Sequence, residues 1–162
     1  MMTGRLNLIC EEIQKILISK RETLSTAESC TGGRIASAIT AIAGSSAYFQ
    51  GALVAYQNEV KVNMLHVNPE TIEQCDVVSR EVVCEMVRGA CEMFGTTYAI
   101  ATSGYAGPGG GSDKVPQGTI WIAYGSPDRI HTYCITEDNG RILNVDYATL
   151  SALSAFLTYL KF

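Results

Sequence analysis

Strand-like and helix-like apolar patterns alternate over the first two thirds of this chain, and that alternation most constrains its fold. Strand candidates at residues 23–28, 49–56 and 98–103 are separated by segments with apolar residues at helical spacing. Strands that alternate with helices form a largely parallel sheet covered by helices on both faces. The pattern therefore predicts an α/β domain with buried central strands.

The last third of the chain adds a hairpin and a long helix. Residues 119–124 and 130–135 are strand candidates on either side of Gly125-Ser126-Pro127-Asp128. Asp138 or Asn139 is expected to cap the last helix, with Ile142 at the start of its apolar stripe. We expect a three-layer α/β/α sandwich with a mixed, mostly parallel sheet of about five strands.

Length and composition suit one well-packed domain. The chain has 162 residues, of which 47% are apolar and 17% charged, so a sizeable core is expected and disorder is excluded. Domains usually run to ~100–200 residues. We expect residues 1–162 to form a single domain.

Charge and hydropathy argue against nucleic-acid and membrane partners. The net charge is −4, and the 12 Lys and Arg residues are scattered instead of forming the cationic patch that binds phosphate backbones. No apolar run approaches the ~18 residues of a spanning helix. Glu11 and Glu12 stand where a signal peptide would be apolar, so we expect no export.

The cysteines and histidines predict neither disulfides nor a metal site. Four of the six cysteines, Cys10, Cys84, Cys91 and Cys134, lie within apolar patterns, as free thiols do in a reducing cytoplasm. No C-x-x-C occurs, and His66 and His131 have no zinc-like spacing. We expect a cytoplasmic protein without a metal or other cofactor.

Three polar segments follow strand candidates and mark a possible site. They are residues 29–33, 57–61 and 103–111, and two of them are rich in glycine. In open α/β sheets, ligands bind outside the carboxyl ends of the strands. The three segments are therefore expected to meet at one edge of the sheet.

Ser29 is the candidate nucleophile, at a strand-to-helix corner followed by Gly32 and Gly33. The free amides of the next helical turn would stabilise an oxyanion or a phosphate. Ser29 or Thr31 could instead simply cap that helix. Spacing alone leaves both interpretations open.

A nucleophilic serine needs a base, and lysine is the best candidate here. The chain has no G-x-S-x-G or S-x-x-K motif. A histidine base would have to be His66, in a helix tail, or His131, in the middle of a strand. Lys61 and Lys114, by contrast, lie near the expected mouth. Burial would lower a lysine pKa towards neutrality, although a surface role for Lys61 stays open. Cys30 is a rival nucleophile, and Tyr56 could stack on a ring or donate its hydroxyl.

Several segments together resemble the CinA C-terminal domain family, which includes stand-alone nicotinamide-mononucleotide amidohydrolases. In chain order they are Thr26-Ala27-Glu28-Ser29-Cys30-Thr31-Gly32-Gly33, Gly44-Ser45-Ser46, Val54-Ala55-Tyr56-Gln57-Asn58-Glu59-Val60-Lys61, Val78-Ser79, Gly104-Tyr105-Ala106-Gly107-Pro108-Gly109-Gly110 and Pro116-Gln117-Gly118-Thr119-Ile120-Trp121. The likeness covers nearly the whole chain.

The resemblance implies hydrolysis of nicotinamide mononucleotide to nicotinate mononucleotide and ammonia. It implies that Ser29 is the nucleophile, that Lys61 is its base and that Tyr56 belongs to the catalytic group. The substrate-binding candidates are Cys30, Thr31, Gly32, Gly44, Ser45, Ser46, Ser103, Gly104 and Arg141. The expected partner is a small pyridine nucleotide, and a homo-oligomer is expected, with a dimer favoured.

Two departures from the family pattern bear on these assignments. Ser103 replaces a common threonine and keeps the hydroxyl, whereas Asp138-Asn139-Gly140-Arg141 replaces Gly-Asp-Arg and weakens the transfer of phosphate binding to Arg141. Two other functions stay open. One is a module that binds a nucleotide without hydrolysing it, and the other is a hydrolase that uses Cys30.

Overall fold

Helices and strands follow one another in the computed structural model, which describes residues 2–162, much as the sequence predicts. In chain order they are α1 (Met2–Lys20), β1 (Leu24–Glu28), α2 (Arg34–Thr40), a 3₁₀ turn (Ser45–Ala47), β2 (Phe49–Val54), α3 (Asn58–Leu65), α4 (Pro69–Cys75), α5 (Arg80–Phe94), β3 (Tyr98–Gly104), β4 (Ile120–Ser126), β5 (Arg129–Ile135) and α6 (Arg141–Lys161).

The five strands form one mixed sheet in the order β2-β1-β3-β4-β5. β1 pairs in parallel with both β2 and β3, whereas β4 runs antiparallel to β3 and β5. Glu28, the last residue of β1, lies opposite Val54 on one side and Thr102 on the other. The carboxyl ends of these three strands therefore meet at one edge, as predicted.

Each face of the sheet has its own apolar core. Residues of α1, α2 and α6, including Ile13, Ile39 and Phe156, pack on one face. Residues of α3 and α5, including Leu65 and Met86, pack on the other, and α4 lies against α5. The predicted three-layer α/β/α sandwich is confirmed.

Two features differ from the sequence prediction. Asn68 and Pro69 begin the helix α4, which was not predicted; the Asn68 side chain accepts a hydrogen bond from the Glu70 amide, and Pro69 occupies the first turn. α6 begins after Gly140 instead of Asp138 or Asn139, and Ile142 is 74% exposed, so it lies outside the apolar stripe.

The cysteines differ in their exposure to solvent. All six cysteines are free, with Cys10 and Cys91 buried and Cys84 and Cys134 partly exposed. Within residues 2–162, no helix combines the length and the apolar character that crossing a membrane requires.

Candidate active site

A cavity of about 320 Å³ lies at the carboxyl edge of the sheet. Its walls come from the ends of β1 and β3, the start of α3, the segment before α5 and the start of α6. The lining residues are Ser29, Cys30, Tyr56, Asn58, Lys61, Val77, Val78, Ser103, Gly104, Tyr105, Ala106 and Arg141.

Ser29 directly follows β1 and is held by its main chain. Its amide donates to the Thr102 carbonyl at 3.1 Å and to the Thr102 Oγ at 3.3 Å. The residue is only 7% exposed, yet it lines the cavity. Its hydroxyl is therefore fixed at the cavity wall and is open to a ligand.

Lys61 reaches this hydroxyl from α3. Its Nζ donates to the Ser29 Oγ at 3.1 Å, to the Ala55 carbonyl at 2.8 Å and to the Tyr56 carbonyl at 3.3 Å. The side chain is 1% exposed. No carboxylate pairs with Lys61 within residues 2–162, so its charge has no counter-ion there.

Burial lowers the pKa of Lys61 to about 8, because the charged form loses its hydration. At that pKa, roughly a tenth of the amines are neutral at pH 7. A neutral amine has two N–H donors for the two carbonyls and one lone pair for the Ser29 hydroxyl. The surroundings of Lys61 thus suit a general base for Ser29.

Cys30 lies beside Ser29 in a very different electrostatic state. It is 6% exposed, and burial raises the pKa of its thiol to about 12. Because the thiolate is the reactive form, this environment disfavours Cys30 as a nucleophile.

Glu28 takes the helix amides that the sequence assigns to a ligand. Its carboxylate accepts from the Ile35 and Ala36 amides, both at 2.9 Å, so neither Ser29 nor Thr31 caps α2. The Gly32 amide donates to the Ser29 carbonyl at 3.0 Å, and it is not available for a ligand.

Three amides of the segment 29–33 have no acceptor in the described chain. Within residues 2–162, the backbone N–H groups of Cys30, Thr31 and Gly33 donate to no other residue, and those of Cys30 and Thr31 directly follow Ser29 in the chain. The Thr31 side chain is fully buried against Glu28 and Thr102 and does not line the cavity. Its predicted binding role is therefore limited to its amide.

Arg141 and Tyr56 stand together at the mouth of the cavity. The Arg141 guanidinium donates to the Gly107 carbonyl at 2.7 Å and to the Tyr56 hydroxyl at 3.0 Å. No carboxylate pairs with Arg141 within the described residues. An unpaired guanidinium at a cavity mouth is suited to an anionic group of a ligand.

A polar brace fixes the glycine-rich loop to the start of α6. Gln117 accepts from the Gly109 amide at 2.7 Å and donates to Asp138 at 2.7 Å. Asn144 donates to Asp138 at 2.8 Å and to the Ala106 carbonyl at 3.0 Å. The brace thereby sets the position from which Arg141 reaches the mouth.

Ser103 and Gly104 line the cavity as predicted, but as parts of a fixed wall. The Ser103 hydroxyl donates to the Val77 carbonyl at 2.9 Å, which ties β3 to the segment before α5. A Cβ on Gly104 would come within 2.5 Å of the Ile120 side chain, so the strand pairing requires glycine there.

The predicted contribution of Gly44, Ser45 and Ser46 needs correction. These residues come just before β2. The first residue of β2, Phe49, pairs with Leu24 at the start of β1, whereas Ser29 follows the end of β1. Gly44 to Ser46 therefore lie at the opposite edge of the sheet from Ser29. The five residues of β1 separate the two edges by roughly 16 Å at ~3.3 Å per residue. Within one chain they do not reach the cavity.

Sequence reasoning missed Glu28, Thr102 and the wall formed by Val77 and Val78. Glu28 had a signal, because a charged residue ended a strand that was otherwise expected to be buried. Thr102 and Val77 had none, since only the sheet register and the course of the segment before α5 bring them to the cavity, and Val78 stood in a family motif that gave it no role in the site. Within residues 2–162, no group of three or more His, Cys, Asp or Glu side chains could hold a metal ion.

The fold and the site define an α/β sandwich in which a serine hydroxyl and a buried lysine amine meet at the carboxyl edge of the sheet. The CinA C-terminal domain family matches residues 7–160. The chain therefore belongs to the CinA C-terminal domain family.

Two relatives illustrate the range of the family. A CinA-like protein of Fervidobacterium nodosum is 46% identical over 132 residues, which are 80% of this chain and 32% of that protein. The nicotinamide-nucleotide amidohydrolase PncC of Escherichia coli K12 is 45% identical over 124 residues, which are 76% of this chain and 75% of that protein. The chain spans about a third of the length of the CinA-like proteins it matches.

Solved structures share the fold over nearly the whole chain. The competence damage-inducible protein A (ComA) of Klebsiella pneumoniae superposes with a TM-score of 0.92 at 36% identity and covers 96% of this chain and 97% of its own. The competence/damage inducible protein CihA of Agrobacterium tumefaciens gives a TM-score of 0.92 at 35% identity, with 98% and 97% covered.

Proposed function

We propose that this chain is a nicotinamide-nucleotide amidohydrolase, which converts nicotinamide mononucleotide and water to nicotinate mononucleotide and ammonia. The observation that carries the proposal is the 3.1 Å contact between the Ser29 Oγ and the Nζ of the buried Lys61, which no carboxylate neutralises within residues 2–162. The name of the Escherichia coli relative supports the choice of amide.

In the first step, neutral Lys61 takes the Ser29 proton while the Ser29 oxygen bonds to the carboxamide carbon. The tetrahedral intermediate then collapses, its C–N bond breaks, and the Lys61 ammonium returns the proton to the leaving nitrogen, which departs as ammonia. Water attacks the acyl-enzyme with Lys61 again as base, and the ester bond to Ser29 breaks. The Lys61 ammonium returns the proton taken from water to the Ser29 oxygen, so the carboxylic acid product leaves and the free hydroxyl and neutral amine are restored.

The amides of Cys30 and Thr31 are the proposed oxyanion donors. They directly follow Ser29 in the chain, and they donate to no other residue of the described chain. One such donor is typically worth ~2.7–4 kcal/mol of barrier. Hydrogen bonds from the Ser29 amide to Thr102 and from the Ile35 amide to Glu28 hold the segment 29–33 that carries these two amides.

The substrate phosphate is assigned to Arg141 at the cavity mouth, with Tyr56 beside it. The catalytic role expected for Tyr56 is thereby divided. Its carbonyl helps to hold the Lys61 amine, whereas its hydroxyl accepts from the Arg141 guanidinium and orients the nucleotide; the residue as a whole is 55% exposed. Ser103, whose hydroxyl already donates to Val77, is assigned to the wall and not to proton transfer.

The test is ammonia release from nicotinamide mononucleotide by wild-type protein and by Ser29→Ala. We expect turnover in the wild type and its loss in the variant, with an unchanged melting temperature, because the hydroxyl lies at the cavity wall. Cys30→Ala is the matched control at the adjacent position and should remain active. An active Ser29→Ala protein together with an inactive Cys30→Ala protein would instead identify the cysteine as the nucleophile.

The alternative function is a module that binds the nucleotide without hydrolysing it. It predicts that nicotinamide mononucleotide raises the melting temperature of the wild type while no ammonia appears. The paired serine and lysine favour hydrolysis, since a binding site has no use for a buried amine held against a hydroxyl.

We further propose that residues 1–162 work as one amidohydrolase domain within a homo-oligomer, with a dimer favoured, in the cytoplasm. The exposed apolar side chains of Ile142 and Leu143 at the start of α6 support association, and six free thiols support a reducing compartment.

A further inference from the structure

The carboxylate of Glu28 is fully buried behind Ser29, and no cation pairs with it within residues 2–162. Each of its two carboxylate oxygens accepts two hydrogen bonds. The donors are the Thr26 hydroxyl at 3.2 Å, the Thr31 hydroxyl at 2.8 Å, and the Ile35 and Ala36 amides at 2.9 Å. A buried charge is tolerated when its lone pairs are satisfied in this way.

Capping α2 does not by itself require this arrangement. A short Ser, Asp or Asn side chain at the cap would satisfy the helix amides. Glu28 reaches the same amides from the last position of β1 and also accepts from Thr31, whose side chain belongs to no helix. The carboxylate therefore joins the strand end, the loop 29–33 and the helix into one unit.

The hydrogen-bond directions follow from that carboxylate. Thr31 has one hydroxyl proton and donates it to Glu28, so in its 2.9 Å contact with Thr102 it accepts and Thr102 donates. The Thr102 oxygen is then free to accept from the Ser29 amide at 3.3 Å. One directed chain thus runs from the Ser29 N–H through Thr102 and Thr31 to Glu28.

We propose that Glu28 is a positioning residue, which acts through Thr31 and Thr102 to hold the main chain of Ser29 so that its hydroxyl stays against Lys61. The inference rests on the function proposed above. Chains of aligned hydrogen bonds strengthen one another in a buried site, and the same chain fixes where the free amides of Cys30 and Thr31 point. Errors of about 1 Å in such positions can cost about 100-fold in rate.

Thr102 offers the cleanest test, because it can lose its hydroxyl without changing shape. Thr102→Val removes the donor to Thr31 and the Oγ acceptor of the Ser29 amide, which keeps its 3.1 Å hydrogen bond to the Thr102 carbonyl, whereas Thr102→Ser retains both hydroxyl contacts. The control is Thr96→Val, a second buried threonine, whose hydroxyl bonds to Ser25 at 2.8 Å at the opposite end of β1. Glu28→Gln is the fourth variant. Its side-chain NH₂ group would face groups that donate hydrogen bonds to the carboxylate in the wild type.

Each protein is assayed for kcat and KM with nicotinamide mononucleotide, for the rate at which an alkyl fluorophosphonate modifies Ser29, and for melting temperature. We expect Thr102→Val and Glu28→Gln to lower kcat and the modification rate about 10- to 100-fold, with KM changed much less. Thr102→Ser should recover most of the loss. Thr96→Val should lower the melting temperature alone.

The proposal is overturned if Thr102→Val is as active as Thr96→Val where both are folded, or if Thr102→Ser loses as much rate as Thr102→Val. A wild type that releases no ammonia but is modified at Ser29 would refute the proposed substrate only, and the modification rates would still decide the role of Glu28. If Ser29 is neither modified nor needed for turnover, both proposals fail.

Discussion

At the scale of single residues, the buried amine of Lys61 is the most unusual feature of the chain. A lysine that is 1% exposed would normally lie beside a carboxylate. Here its neighbours are two carbonyls and one hydroxyl, which accept hydrogen bonds without supplying a full negative charge. The site therefore keeps the Lys61 amine partly neutral at physiological pH.

The pH dependence of turnover should report this amine. The pKa of Lys61 is about 8 because burial penalises the ammonium, and only the neutral amine can take the Ser29 proton. We expect kcat to rise about tenfold per pH unit below pH 8 and to level off above it. Lys61→Arg should be as inactive as Lys61→Ala, since arginine keeps its proton. The measurement is kcat from pH 6 to 10.

Substrate binding by the same variants distinguishes a role of Lys61 in proton transfer from a role of its positive charge alone. Lys61→Ala should still bind nicotinamide mononucleotide, measured by calorimetry, if the amine acts in the reaction. Substantial kcat in Lys61→Arg would show that the positive charge is sufficient, and another group would then have to be the base.

The residue scale also shows what a sequence can reveal about such a site. The sequence predicts that Ser29 and Lys61 meet, because the motifs around them are distinctive and follow strand ends, and the two side chains are in contact at the cavity. Thr102 could not be predicted, since its role depends on the register that sets it opposite Glu28. Gly44 to Ser46 were misplaced because a motif shows which residues matter without showing at which end of a strand they lie.

At the scale of elements, the loop that follows β3 depends on side chains far along the sequence. Gln117 and Asp138 connect Gly109 to the start of α6, whose first residue is Arg141. We expect Gln117→Leu to raise KM for nicotinamide mononucleotide several-fold with little change in kcat, because the guanidinium loses its fixed position. Steady-state kinetics with Gln74→Leu, an exposed glutamine in α4, provide the control.

A phosphate-free substrate sharpens this prediction. With nicotinamide riboside, wild type and Gln117→Leu should have similar kcat/KM, because the brace acts on Arg141, the proposed ligand of the phosphate. An equal loss on both substrates would mean that the brace supports the Ser29 side of the cavity instead.

The contact between α3 and α5 is the second relation between elements that affects the site. A Cβ on Gly89 would lie 2.0 Å from the Leu65 carbonyl oxygen, so α5 packs directly on the backbone of the helix that carries Lys61. Gly→Ala inside a helix normally stabilises by ~1 kcal/mol. Here we expect Gly89→Ala to lower the free energy of unfolding by about 1–3 kcal/mol and to reduce kcat.

Gly4→Ala is the matched control, because Gly4 lies in α1 with nothing within 4 Å of an added Cβ. It should leave the free energy of unfolding unchanged or slightly higher in urea titrations. A Gly89→Ala protein as stable as the wild type would show that the two helices can move apart freely.

The elements themselves were largely predictable, and the exceptions have physical causes. The α5 cap at Ser79 and stop at Gly95 follow from local residues and are observed. The start of α6 was misjudged because Asp138, a good cap residue, bonds to Gln117 and Asn144 instead. Local propensity predicts a boundary only where no distant partner competes for the same side chain.

At the scale of the whole molecule, the sandwich has one core on each face of the sheet and places Lys61 beside the smaller of them. The buried amine lowers the stability of the folded protein whenever it is charged. Unfolding restores the ordinary pKa of ~10.4, whereas the folded pKa is about 8. Between these two pKa values the unfolded chain binds more protons than the folded protein, so Lys61 makes the free energy of unfolding increase as pH rises.

Comparing wild type with Lys61→Met isolates that contribution. The stability advantage of Lys61→Met over wild type should be constant below pH 8 and should shrink by on the order of 2–3 kcal/mol between pH 8 and 10.5. The carbonyls of Ala55 and Tyr56 lose a donor in the variant at every pH, so that cost does not affect the slope. Urea titrations at pH 7, 8, 9 and 10 measure the difference, with exposed Lys114→Met expected to differ from wild type by a constant amount. A flat difference for Lys61→Met would mean that the folded amine keeps its ordinary affinity for the proton, and the assignment of Lys61 as the base at neutral pH would then be wrong.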